Sequence, residues 1–190
     1  MIFHSRSRTK TVYFVYSGEV MLYNLTKHGN RKVIFILGKG QLLNQSIVSK
    51  KPNALFGEAV CPVKVIEIAE EQFLQLMEQS HALTRAVLRE YERNLWRMGH
   101  QLKNTTGNMQ MERKIAAKLW KLGRDFGVDT EDGVMIDIDL TITLMADLVG
   151  APRENVSSAC KVLTDRGLIR YGNKRFILTD SDGLAEFYKM

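Results

Sequence analysis

The sequence predicts an α+β chain: an N-terminal antiparallel β-roll (a cupin-like jelly roll), a long dimerisation helix, and a C-terminal winged helix-turn-helix. Three observations predict it. Residues 11–68 alternate short valine- and isoleucine-rich segments with glycine turns. Residues 83–103 carry apolar side chains at helical spacing. Residues 141–179 read TITLMADLVGAPRENVSSACKVLTDRGLIRYGNKRFILT, two helices about a glycine-proline stop followed by a hairpin.

In the roll, 11–16 and 19–25 are expected to pair across Ser17-Gly18, and 32–37 follows the turn residues His28-Gly29-Asn30. Gly38 and Gly40 bracket a bend, after which 54–61 and 63–68 complete the strands. The period then changes. Residues 70–79 form a short amphipathic helix with Phe73, Leu74 and Met77 on one side. The longer helix over 83–103 carries Leu83, Val87, Tyr91, Leu95, Met98 and Leu102, spaced by three and four. Such a stripe ordinarily packs within one chain. Here it follows a domain that already has a core, and Arg85, Arg89, Arg93 and Arg97 occupy its other faces, which favours pairing with a second copy.

Asn104-Thr105-Thr106-Gly107-Asn108 is made of turn formers and reads as a hinge. The expected organisation is therefore a sensor roll over 1–80, a dimerisation helix over 81–104, a hinge over 105–110 and a winged helix over 111–190. Residues 111–126 resume a helix with Ile115, Leu119, Trp120 and Leu122 inward, and 134–138 can add a strand.

In the helix-turn-helix, Thr141 and Thr143 offer capping hydroxyls, and Leu144, Met145, Leu148 and Val149 supply one apolar face. Gly150-Ala151-Pro152 stops that helix, and Pro152 suits the first turn of the next, which runs to about Asp165. Val156, Ala159, Cys160 and Leu163 fall inward. Arg153, Glu154, Asn155, Ser157, Ser158 and Lys161 are left for base edges and phosphates. Gly172-Asn173 reads as the hairpin turn of the wing, with Arg170, Lys174 and Arg175 positioned on phosphates.

Charge placement supports a double-stranded DNA partner. Six cations face two acids between Gly150 and Arg175, whereas seven acids and no cation lie between Asp125 and Asp147. A basic face toward DNA with the acidic flank turned away is the arrangement expected. The overall +6 does not carry this reading, because residues 1–111 hold 15 basic and 8 acidic side chains and 112–190 hold 12 and 13.

Cys61 and Cys160 read as reduced, buried thiols of a cytoplasmic protein. The sequence offers no signal peptide, membrane partner, metal cluster, P-loop, nucleophile–base pair or paired carboxylates, so no enzyme and no catalytic residue is expected.

The order β-roll, long helix, hinge, winged helix resembles the CRP/FNR family of bacterial transcription regulators. The resemblance is carried by VYFVYSGEVMLY (12–23), HGNRKVIFILGKGQ (28–41), VKVIEIAEEQFLQLM (63–77), ERKIAAKLWKLG (112–123) and, most closely, APRENVSSACKVLTDRGLI (151–169). It implies a homodimer reading an inverted repeat, with half-sites about one helical turn apart, and RNA polymerase as a further partner if the protein activates. Departures from the family pattern are equally informative. Where cyclic-nucleotide-binding members place a Gly-Glu and an Arg-Ser/Thr pair, this chain has Asn44-Gln45 and Asn53-Ala54. Without the arginine nothing offsets the phosphate charge, and the adenine-contacting hydroxyls of the long helix are replaced by Gly99-His100. No cofactor is evident and cAMP is not expected. Haem, for which His4, His28, His81 and His100 are the histidine candidates, and a small organic effector stay open.

The chain opens inside the roll, and the family's leading helix and first strand are expected to be missing. In the recognition helix the family pattern Arg-Glu-Thr-Val-Ser-Arg becomes Arg153-Glu154-Asn155-Val156-Ser157-Ser158, so Ser158 stands where an arginine usually reads guanine. The competing reading is a small-molecule-binding or interaction module whose winged helix docks a protein.

Overall fold

The computed structural model describes residues 1–105 and 109–189, with side chains for all of these except 102–105. The chain divides into two compact units, Met1–Lys103 and Asn104–Met190. No helix among the described residues is long and apolar enough to cross a membrane.

In the first unit, β1 (Thr11–Ser17) pairs antiparallel with β5 (Lys64–Ala69). The strand β2 (Val20–Leu25) is the centre of a second sheet, between β3 (Arg31–Leu37) and β4 (Phe56–Ala59). The expected pairing of 11–16 with 19–25 is therefore corrected. Gly18 has φ +79, and a Cβ there would lie 2.6 Å from the Pro62 carbonyl oxygen. This corner passes the chain from one sheet to the other instead of folding it back on itself, and only glycine fits it. Bridges from Phe3 to Gly57 and from Phe14 to Leu42 help close the roll. Val15, Val20, Leu22, Phe35, Leu37 and Leu43 fill its interior.

A second cluster, Val12, Leu42, Ile47, Phe73 and Val87, joins the roll to α1 (Glu70–Gln79) and α2 (His81–Thr105). It divides the stripe expected on the long helix. Val87 is buried in this cluster with Leu83 and Tyr91 packed beside it, so these three side chains are spent within the protomer. Leu95 and Met98 are exposed, as is Leu88, which the sequence reading passed over. Leu88, Tyr91, Leu95 and Met98 keep a strict four-three spacing. The side chain of Leu102 lies outside the described residues. Arg97, assigned from sequence to an outer face, is instead buried at 8% exposure.

The second unit runs α3 (Met111–Phe126), β6 (Gly127–Thr130), β7 (Gly133–Ile136), α4 (Ile142–Val149), α5 (Arg153–Asp165), β8 (Ile169–Gly172), β9 (Arg175–Leu178) and α6 (Ser181–Lys189). Its sheet has the order β6-β7-β9-β8. The core is built by Ile115, Leu119, Met145, Val156, Leu163 and Phe176, all fully buried. Neither β6 nor α6 was anticipated. Every residue of β6 is exposed, so it has no inward-outward alternation to read. The helix α6 packs on α3, with Tyr188 5.8 Å from Trp120 between ring centroids. Of the expected hinge, Asn104 and Thr105 close α2, and 106–108 lie outside the described residues.

Candidate nucleic-acid interface

The two helices of the motif are set by their ends. The Thr141 hydroxyl accepts from the Leu144 amide at 3.0 Å, capping α4; Thr143 lies inside the helix. At the other end Gly150 takes the left-handed conformation (φ 73), and its amide donates to the Ala146 carbonyl at 2.7 Å. Pro152 is the N-cap of α5, one residue before the first turn. From there the helix has two faces. Val156, Ala159, Cys160 and Leu163 are buried, while Arg153, Glu154, Asn155, Ser157, Ser158 and Lys161 are all exposed. Desolvation pushes the buried Cys160 thiol up to about 11, so it stays protonated and serves as packing. Glu154 lies in the first turn, where a carboxylate also complements the helix dipole.

The wing is the β8–β9 hairpin, with Gly172 opposite Arg175. Its turn is Asn173-Lys174 rather than Gly172-Asn173. Both residues have positive φ (50 and 59), as a two-residue type I′ turn requires. Lys174 thus stands at the tip in a left-handed conformation that lysine seldom adopts. The Leu140 amide donates to its carbonyl at 2.7 Å and ties the tip to the strand–helix connection.

The other two wing cations are engaged. Arg170 forms an ion pair with Asp132, and Arg175 pairs with Asp137 and, at 3.7 Å, with Asp139. The expectation of an acidic flank turned away is corrected. Because β7 lies beside β9, the acids that follow β7 come up against the wing instead of behind it. Arg153, Lys161 and Lys174 have no ion-pair partner among the described residues.

In the roll, the residues at the aligned cyclic-nucleotide positions serve the fold. Asn44 is buried; its Oδ1 accepts from the Tyr13 amide (2.7 Å), its Nδ2 donates to the Thr11 carbonyl (3.0 Å), and its own carbonyl accepts from the Tyr91 hydroxyl (3.3 Å). Burial raises that hydroxyl to about 12. Asn53 is also buried, with its backbone amide and carbonyl bonded to Ser7 and Arg6. Neither position supplies a cation, so these residues do not fit a cyclic phosphate. Gly99 and His100 are exposed, and so are His4, His28 and His81. Among the described residues no group of three or more metal-binding side chains forms. Cys61 is half-buried rather than buried, and its thiol donates to Glu19 Oε2 at 3.0 Å.

Sequence reading missed the polar row that α2 turns toward the roll, Glu90, Asn94, Arg97 and Gln101. Their spacing of four, three and four was a helical signal, but a polar one.

A helix with one buried face and an exposed row of polar and cationic groups, followed by a lysine-tipped hairpin, defines a winged-helix protein built to read DNA. Comparison with known proteins agrees at both ends of the chain. Residues 113–187 match the Crp-like helix-turn-helix domain, and residues 1–80 the cyclic nucleotide-binding domain. The chain belongs to the CRP/FNR family and is a DNA-binding transcription regulator of that type. It is 25% identical over 175 residues to the CRP-like cAMP-activated global transcriptional regulator of Mycobacterium tuberculosis, covering 92% of this chain and 78% of that one. It is 24% identical to the global nitrogen regulator of a Nostoc species, covering 92% and 79%. The structure of FixK2 from Bradyrhizobium japonicum superposes with a TM-score of 0.83 at 19% identity, over 97% of this chain and 90% of that one, which shows the shared fold.

Proposed function

We propose that the regulator acts as a homodimer on an inverted repeat, with each α5 in a major groove and the half-sites about one helical turn apart. The observation that carries this is the two-faced α5: its inner residues are buried and its outer row is exposed from Arg153 to Lys161. In this reading Arg153 reads guanine or holds a phosphate, Glu154 accepts from cytosine, and Asn155, Ser157 and Ser158 complete the base contacts. Lys161 and Lys174 hold phosphates, joined by Arg170 and Arg175 once these leave their aspartates. The dimer forms along Leu88, Leu95 and Met98 of α2, with the half-buried Tyr91 at its margin. The protein works in the cytoplasm, catalyses no reaction, and meets RNA polymerase where it activates. Its effector is not a cyclic nucleotide, a reading supported by the structural duties of Asn44 and Asn53.

The test is selection of randomised duplex DNA by the purified protein, repeated with Arg153→Ala. An inverted repeat should be enriched, and the variant should lose about 1–3 kcal/mol and its preference at one base pair per half-site. Enrichment of no sequence would favour the protein-docking alternative.

A further inference from the structure

Along one face of α2 the packing changes character. Leu83, Val87 and Tyr91 join an apolar cluster, but the next turns present Glu90, Asn94, Arg97 and Gln101 to the roll. Gln101 Nε2 donates to the Ile34 carbonyl at 2.9 Å, and Gln41 Nε2 donates to Glu90 at 3.4 Å. Between them the Arg97 guanidinium, 8% exposed, lies 5.5 Å over the ring of Phe35, a member of the roll's interior cluster. Asn94 Oδ1, one turn from Arg97 on the same face, is buried without a hydrogen-bond partner, as is Gln45 Oε1 in the roll. Burying a guanidinium against an aromatic face and leaving carbonyl oxygens unpaired are both costly. A helix that needed only to adhere to the roll would carry apolar residues here, as it does two turns earlier.

We infer that this polar stretch of the α2–roll interface is the effector site, and that its ligand is a small hydroxylated or amino-bearing anion. Arg97 would hold the carboxylate or phosphate, and Asn94 would accept from the hydroxyl or amino group. The inference rests on the proposal that the effector is not a cyclic nucleotide, and it assigns the anchoring cation to the helix instead of the roll. A ligand held at Arg97 touches α2 directly, so its binding energy bears on the element proposed to pair two protomers.

The test uses the full chain with Arg97→Met, which keeps length and removes charge, and Arg97→Lys. Malate and glycerol 3-phosphate probe the two anion types, succinate lacks the hydroxyl, glycerol lacks the charge, and cAMP tests the parent reading. The expected result is a rise in melting temperature with malate or glycerol 3-phosphate, smaller with succinate and absent with glycerol. Affinity should fall about tenfold or more in the lysine variant, which loses the paired donors, and be abolished in the methionine variant. Without any anion, Arg97→Met should melt at or above the parent, because an anchoring charge is stability given up for binding. Marked destabilisation by Arg97→Met would show a structural arginine and overturn the site. So would silence from both hydroxylated anions, or binding that persists in Arg97→Met. A response to cAMP lost in Arg97→Met would uphold the site while overturning the non-nucleotide reading.

Discussion

Arg175 shows how a residue's neighbours decide what it can do for DNA. Its guanidinium is paired with Asp137 and Asp139, and Arg170 is paired with Asp132, all at the surface. Exposed ion pairs are worth only about 0–1 kcal/mol, so a phosphate can displace the carboxylates, but the exchange subtracts from binding. The aspartates also repel the DNA backbone directly. Replacing Asp137 and Asp139 by asparagine should therefore tighten binding to a selected duplex several-fold at low salt, with the gain shrinking as salt is raised. A fluorescence-anisotropy titration checks this, and weaker binding by the double variant would mean that the acids orient Arg175 for the phosphate. Lys174 differs, with no carboxylate against it and its place fixed by the turn.

At the scale of the element, α2 separates two jobs on one helix. Val87 is 5% exposed inside the cluster with Leu42, Ile47 and Phe73, whereas Leu95 is 72% exposed and Leu88 55%. Leu95→Glu should leave each protomer folded and shift the dimer to monomer in sedimentation, with DNA affinity falling as the two half-sites become independent. Val87→Glu should instead lower the melting temperature, because a carboxylate would be buried in an apolar cluster. If Leu95→Glu stays dimeric, the exposed seam is not the interface. The contrast also shows what could be read from the sequence. Apolar spacing located α2, but both a roll-facing and an outward stripe fit a helix of this length, and Tyr91 belongs near the boundary of the two. The α5 face was legible because short, single-sided helices leave one solution, and Val156, Ala159, Cys160 and Leu163 took it. The wing turn was read one residue early because Asn173-Lys174 reaches the left-handed region without a glycine. The pairing of β1 with β5 is a long-range choice of sheet that strand composition does not encode.

For the whole molecule, charge lies where the DNA-reading helix is not. The unit Met1–Lys103 holds 15 basic and 8 acidic residues, while Asn104–Met190 holds 12 and 13. Net attraction between the winged helix and DNA therefore cannot explain binding; placement must. In the dimer proposed above, each phosphate neutralised contributes about −0.9 to the slope of log affinity against log salt. Lys174→Gly removes one wing cation per protomer, and glycine suits the left-handed turn better than lysine does, so any loss of affinity reflects lost charge rather than a damaged hairpin. The slope should become shallower by about two units for the dimer, with the selected sequence unchanged. An unaltered slope would place the wing tip away from the backbone and leave Lys161 and Arg153 as the principal cations at the duplex. A changed sequence preference would instead mean that the tip reads a groove, a role its position at the end of an exposed two-residue turn makes sterically accessible.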